Sequence, residues 1–316
     1  MAALSPAGKN RKFIYGPVLS RRLGYSLGVD ILPFKTCTLD CVYCQLGAFS
    51  RTTVRRGSFC DPKEVLAQIR KAFASGARID YITFSGSGEP TLNRDLGKII
   101  RGIKKMTDIP VAVLTNGTLL HRKDVREDLQ EADLVVPSLD AVTPRLFARV
   151  NRPDKGISLD RMIRGMSRFR RDFKGQIWLE IMLIKGVNDS AAHIRKLKTA
   201  IVALKPDRVQ LNTVVRPPAE KAVLPLDADE MEAIRKAIGE GCDVTVDFPK
   251  KTGAPVRRNL DETVLSIIGR RPVTAGDIVA ALGRSPFEVR TALARLSEAG
   301  KIRTTRHGGK QFFKAR

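Results

Sequence analysis

Between Asp61 and Pro249 short β-type apolar runs alternate with amphipathic helical patterns, and this alternation narrows the fold more than any other feature. "VLAQIRKAFA" has helical apolar spacing, with Asp61 as N-cap, Pro62 as first helical residue and Gly76 as C-terminal stop. The strand "YITFSGSG" follows, then a helix near Asp95–Met106 and the strand "VAVLTNG". A short helix around Val125, the strand "LVVPSLD" and the helix "LDRMIRGMSRFRRDF" come next. The strand "IWLEIMLI", a helix near Ala191–Leu204, the strand "RVQLNTVV", the helix "ADEMEAIRKAIGEG" and the strand "DVTVDF" complete the series. Strands and helices in strict alternation imply parallel βαβ units and an α/β fold. No longer sequence repeat overlies the pattern.

The texture changes after Phe248. "PKKTGAPVRRN" reads as a basic linker containing Pro and Gly. "LDETVLSIIG", "TAGDIVAALG" and "SPFEVRTALARLSEAG" read as three short helices, and "KIRTTRHGGKQFFKAR" as a hairpin turning at Gly308-Gly309. The expected division is a core at 1–249, a linker at 250–258 and a small winged-helix-like domain at 259–316.

No long uncharged apolar run occurs, and "MAALSPAGKNRKF" lacks the apolar stretch of a signal peptide. A cytoplasmic protein with no membrane partner is expected. The chain carries 56 basic and 33 acidic residues, net +23. Such an excess favours a polyanionic partner such as RNA or DNA, or else reports a basic proteome.

Five cysteines are few for a disulfide framework in 316 residues. Three of them, Cys37, Cys41 and Cys44, stand in a C-x3-C-x2-C spacing within "FKTCTLDCVYCQLG". Thiolates are soft ligands suited to zinc or iron–sulfur clusters. A structural zinc needs four ligands, the fourth being Cys60. Alternatively three thiolates hold a cluster with one iron left open to a small molecule.

The C-x3-C-x2-C motif, with Tyr43 as the aromatic residue just before its last cysteine, resembles the signature of the radical S-adenosylmethionine (radical SAM) superfamily. The resemblance implies a partial (β/α)6 barrel and a 4Fe-4S cluster on Cys37, Cys41 and Cys44. It implies that the open iron chelates S-adenosylmethionine, that reductive cleavage yields a 5′-deoxyadenosyl radical, and that the radical abstracts hydrogen from a substrate. An electron donor such as flavodoxin or ferredoxin follows from the same resemblance. Gly86, Gly88 and Glu89 of "FSGSGEPTL" resemble the glycine-rich strand end that receives the methionine ammonium. Asn116 of "LTNGTL" is either a polar turn or a contact. Ser138 and Asp140 of "VPSLDA" match the region that supplies polar groups to the nucleoside. "VNRP" and "LIKGVND", with Lys185 and Asn188, mark later positions, Lys185 being a solvated loop residue or a substrate anchor.

Together with "YGPVLSRRLGYSLGVDILPFKTCTLDCVYCQLG", these segments look like the branch related to tRNA wyosine synthases, over roughly Tyr15 to Asn212. Those synthases carry three further cysteines before the main motif. Here no cysteine precedes Cys37, and Cys60 and Cys242 are too few, so the implied relation is one of scaffold and tRNA-like substrate.

From Lys251 onward fourteen basic residues face five acidic ones, and no acid follows Lys301. A winged helix would present Arg290 and Arg295 from its recognition helix, and Arg303, Arg306, His307 and Lys310 from its wing. Arg21 and Arg22 either contact a substrate phosphate or cap the first strand. The leading expectation is a radical SAM enzyme acting on RNA, tRNA or a related anionic molecule. Its rivals are a glycyl-radical activating enzyme with a protein partner and an iron–sulfur redox sensor that binds DNA.

Overall fold

The computed structural model describes residues 11–47, 52–245, 260–269 and 271–316. The expected linker at 250–258 lies outside these residues, as does the C-terminal part of "DVTVDF".

Among the described residues eight strands form one sheet whose spatial order follows the chain. β1 (Ile14–Ser20) and β2 (Gly24–Val29) are an antiparallel hairpin that the alternation beginning at Asp61 did not announce. From β2 onward every neighbour is parallel: β3 (Tyr81–Phe84), β4 (Val111–Thr115), β5 (Leu134–Pro137), β6 (Gln176–Leu183), β7 (Arg208–Thr213) and β8 (Cys242–Val244). Each of β2 to β7 is followed by helix, which gives six βα units. The helices are α1 (Pro62–Phe73), α2 (Leu96–Lys104), α3 (Lys123–Asp128), α4 (Pro144–Val150) with α5 (Leu159–Asp172), α6 (Ala191–Leu204) and α7 (Ala228–Ile238). This is the expected partial (β/α)6 barrel.

Local chemistry explains the boundaries. Asp61 accepts a hydrogen bond from the Lys63 amide and Pro62 opens α1. Asp227 and Glu230 form a reciprocal capping box at α7. Strand alternation divides the sheet's two faces. Val111 and Val113 join the large core beneath the helices, with Ile82, Phe84, Ile99, Ile100 and Leu179. Ala112, Leu134, Val136 and Trp178 turn the other way and cluster with Leu23 inside the barrel.

The last segment forms α8 (Leu260–Ile268), α9 (Ala275–Leu282), α10 (Pro286–Glu298) and a hairpin of β9 (Ile302–His307) and β10 (Lys310–Ala315). Its core of Val264, Ile267, Ile278, Val289, Leu293, Leu296 and Ile302 takes in Val18 of β1, with Tyr15 packed alongside. The C-terminal elements are therefore packed against the edge strand of the barrel sheet.

Candidate active site

The cysteine segment leaves the end of β2 and lies across the C-terminal ends of the parallel strands, where α/β barrels place their sites. Cys37, Cys41 and Cys44 line one cavity of about 370 Å³. Tyr43, Gly86 and Gly88 share its wall, with Met182 of β6 and Asn212 of β7. Burial pushes the Cys37 thiol up to about 12, and the Glu89 carboxylate adds to it. Burial likewise lifts the Cys41 thiol well above its usual range, with Asp140 adding to it. Cys44 is raised by burial. Three protonated thiols in one low-dielectric pocket suit a cation that draws off their protons as it binds. Two amides already point at sulfur: Asn116 Nδ2 lies 3.5 Å from Cys37 Sγ and Asn151 Nδ2 3.4 Å from Cys41 Sγ. Such donors favour a sulfur that carries negative charge.

Cys60 stands elsewhere. Its sulfur accepts from Asn93 Nδ2 at 3.3 Å, and its charged neighbours are Asp95, Arg11 and Asp61, not the other thiols. Among the described residues no three His, Cys, Asp or Glu side chains converge on a single-ion site. The position of Cys60 disfavours the four-thiolate zinc alternative, whose ligands must meet around one ion. Cys242 is buried in the main core.

The end of β3 approaches the cysteine segment backbone to backbone. Thr36 and Gly88 form a parallel bridge, and the Glu89 amide donates to the Thr36 carbonyl at 2.9 Å. A Cβ on Gly88 would stand 1.8 Å from the Thr36 oxygen, so no side chain fits there. Gly86 has φ +139°, a conformation side chains rarely adopt. Glu89 is 2% exposed, and its carboxylate is taken up by protein donors. Oε1 accepts from the hydroxyls of Thr91 and Thr115, both at 2.6 Å, and Oε2 from the Asn116 amide at 2.7 Å. Burial raises its carboxyl above the usual range. In this state Glu89 ties the ends of β3 and β4 together and presents its field, not a free oxygen, to the cavity.

Asp140 does the same between β5 and β6. Its Oδ1 accepts from the Met182 amide at 2.9 Å; its Oδ2 accepts from Asn151 Nδ2 at 2.7 Å and from the Tyr43 hydroxyl. Burial holds the carboxyl up at about 6. Tyr43 thereby anchors the cysteine segment to the barrel. Ser138 is half-buried at the end of β5, with no hydroxyl partner among the described residues. Asn188 is a structural clamp: Nδ2 donates to the carbonyls of Asp140 and Met182, and Oδ1 accepts from the Ile184 amide.

Several other expectations meet the structure differently. Lys185 pairs with Glu230 at 2.7 Å on the surface, as a solvated loop residue does. Arg295 is exposed yet engaged by Asp261 at 2.7 Å and 3.1 Å. His307 faces the barrel instead of presenting itself on a wing, with Nε2 2.9 Å from the Val214 carbonyl. Arg290, Arg303, Arg306 and Lys310 are exposed. Arg21 and Arg22 both line the cavity.

Asn151 lies in the quoted "VNRP" segment, but nothing in the sequence singles out its amide. Asn212 had a signal: Gln210 and Asn212 are polar at alternate positions of the strand "RVQLNTVV", so both face one side of the sheet.

Three thiols thus share one barrel-mouth cavity with sulfur-directed amides and a glycine-lined strand end. Residues 31–197 match the family model of the radical SAM superfamily, and the chain belongs to that superfamily. It is accordingly an enzyme whose cofactors are a 4Fe-4S cluster and S-adenosylmethionine. Two relatives lie close in sequence. A "GTPase Obg" of Brachyspira hyodysenteriae is 40% identical over 295 residues; the match takes in 92% of this chain and 43% of that protein, so the chain spans less than half of that relative's length. "UPF0026 protein MJ1312" of Methanocaldococcus jannaschii is 33% identical over 307 residues, covering 95% of this chain and 94% of the relative. Among solved structures, Streptococcus suis SuiB bound to S-adenosylmethionine superposes with a TM-score of 0.54 at 17% identity, over 71% of this chain and 51% of that one. That likeness supports the fold. Among the described residues no helix is long and apolar enough to cross a membrane.

Proposed function

We propose that Cys37, Cys41 and Cys44 hold the cluster and that Tyr43, Gly86, Gly88, Glu89, Asn116, Ser138 and Asp140 build the seat for S-adenosylmethionine, in an enzyme acting on an anionic substrate such as RNA, tRNA or a related molecule. The observation that carries this reading is the three half-buried thiols lining one cavity with the glycine-rich end of β3. When bound, the cluster and S-adenosylmethionine supply a single electron and a 5′-deoxyadenosyl radical for hydrogen abstraction. The chain's own residues do the rest. Asn116 and Asn151 donate to sulfur; Tyr43 and Asp140 fix the cysteine segment on β5 and β6. Gly86 and Gly88 leave space and backbone for the methionine end, and the Ser138 hydroxyl suits a ribose oxygen. Asp140 and Glu89 orient these groups through their hydrogen bonds. An electron donor of the flavodoxin or ferredoxin type completes the reaction.

Residues 1–249 form the catalytic core in this reading, and 259–316 a winged-helix-like unit joined through 250–258. The exposed Arg303, Arg306 and Lys310 would contact phosphates of a nucleic-acid substrate.

Anaerobic reconstitution tests the site. Wild type should take up about four irons per chain. Cys37→Ala, Cys41→Ala and Cys44→Ala should each lose the cluster, whereas Cys60→Ala and Cys242→Ala keep it. One zinc per chain, lost in Cys60→Ala, would refute the assignment. For the nucleic-acid reading, replacing Arg303, Arg306 and Lys310 by Gln in the full chain should flatten the log–log salt dependence of RNA binding by about 0.7–0.9 per contact. Wild type with no RNA affinity at low salt would remove this role.

A further inference from the structure

The cavity does not end at the thiols. Its far wall carries Arg21 and Arg22 from the turn between β1 and β2, and Arg271 with Ile267 from the C-terminal unit. The C-terminal elements are thus a wall of the active-site cavity and bring their own cation to it.

The three guanidinium groups are held differently. Arg22 donates to Glu180 and, at 2.8 Å, to Gln210 Oε1. Arg21 donates to the Thr245 carbonyl at 2.7 Å. Arg271 feels Asp277 and Tyr15 but makes no hydrogen bond with any described residue. Arg216, 5% exposed, adds its field to Arg21 and Arg271. Among the described residues Arg21, Arg22 and Arg271 meet two carboxylates, Glu180 and Asp277. Burial pushes Arg21 down to about 10, with Arg22 and Arg271 adding to the effect. Guanidinium groups remain charged at neutral pH even so, and three half-buried ones beside two carboxylates leave a positive charge that an anion can complete.

A second observation points into the same space. Asn212 is 3% exposed, lines the cavity, and its Oδ1 has no partner among the described residues. Buried amide oxygens are rarely left so, and one that faces a cavity is suited to a ligand donor. On the outward side Arg271 also lines a second cleft of about 480 Å³, with Lys35, Arg303, Lys314 and Arg316. Arg271 therefore stands where the inner cavity meets a basic outer groove.

We propose that Arg21, Arg22 and Arg271 form a phosphate-binding anchor at this junction, so that the substrate is a phosphorylated molecule held by the barrel and the C-terminal unit together while its uncharged part reaches inward past Asn212. Arginine suits this task because its planar fork matches phosphate oxygens two at a time. The inference rests on the anionic substrate proposed above and names the group that is recognised.

The test uses full-length protein reconstituted with its cluster and titrated calorimetrically with inorganic pyrophosphate at low ionic strength. A 5′-phosphorylated oligoribonucleotide is titrated in a parallel arm. Arg271→Gln should weaken pyrophosphate binding about tenfold or more, the loss expected of a charge-assisted pair. Arg271→Lys should retain part of the affinity, and Arg235→Gln, on α7 and held by Glu232, should change nothing. Iron content and S-adenosylmethionine affinity should match wild type in all three. Oligonucleotide binding that depends on Arg271 and exceeds that of pyrophosphate assigns the phosphate to RNA; equal or weaker binding assigns it to a small metabolite. Pyrophosphate binding that is absent from wild type, or equal in Arg271→Gln, overturns the anchor. Loss of S-adenosylmethionine cleavage with Arg271-dependent binding intact would instead count against the radical assignment and leave the anchor standing.

Discussion

Replacing Gly88 by alanine tests whether the close approach of β3 to the cysteine segment sets the cofactor site. The added Cβ would stand 1.8 Å from the Thr36 carbonyl oxygen and 2.7 Å from its carbonyl carbon. Ordinary contact begins near 3.4 Å, so the two backbones must separate by about 1.6 Å. Neither side can yield as the tip of a flexible side chain does. Separation breaks the Thr36–Gly88 bridge and the 2.9 Å hydrogen bond from the Glu89 amide to Thr36. Overpacking of this kind costs about 1–3 kcal/mol and the lost bond about 1 kcal/mol. Gly88→Ala should therefore lose about 2–4 kcal/mol and melt roughly 4–16 °C lower. Because Cys37 adjoins Thr36, its iron uptake should fall well below that of wild type. Gly76→Ala is the control: φ is +66° there, but nothing lies within 4 Å of the new Cβ. It should cost about 1–2 kcal/mol of backbone strain and keep full iron. Iron per chain after anaerobic reconstitution and melting by circular dichroism decide the matter. A Gly88→Ala protein with full iron that melts within about 2 °C of wild type would refute the reasoning.

Two further outcomes follow from the carboxylate and amide chemistry. The Asp140 carboxyl sits at about 6 in the fold against 3.8 when free, so its protonated form is the one the fold favours. That contribution is complete below pH ~4 and is lost as pH rises through ~6, a change of about 3 kcal/mol. The stability advantage of wild type over Asp140→Asn should shrink by that amount between pH 4 and 7, and a pH-independent difference in denaturation would contradict it. Removing the amide that faces Cys37, in Asn116→Ala, should make the cluster potential more negative by about 40 mV per kcal/mol of lost hydrogen bonding. A redox titration followed by electron paramagnetic resonance measures this, and an unchanged potential would deny the Asn116–Cys37 contact a role.

The alternation of strand and helix made the barrel legible, because parallel units leave period and caps in the sequence. β6 and α6 are read almost residue for residue. β1 and β2 were not, since "IYGPVLS" and "GYSLGV" are short, glycine-bearing and too irregular to show a period. The thiols were legible by spacing alone. Glu89 and Asp140 were recognised as belonging near the site, but sequence gave no sign that protein donors already occupy their oxygens. That is decided by tertiary contacts such as Tyr43 with Asp140, 97 residues apart. Arg271 was invisible for the same reason: a basic residue among many, distinguished only by where the C-terminal unit packs.

The packing of α8 and α9 on β1 has a consequence for how the molecule comes into being. β1 is an edge strand, and the helices that cover it begin some 240 residues later, at Leu260. On a ribosome, therefore, the hairpin of β1 and β2 must wait through synthesis of the whole barrel before its cover arrives. An edge left open for so long can pair with another nascent chain. Contacts so distant in sequence are also slow to close. The cavity wall bearing Arg271 is therefore synthesised after the wall bearing the three thiols. Placement of the thiols and closure of the cavity are then separate events in time, ordered by translation.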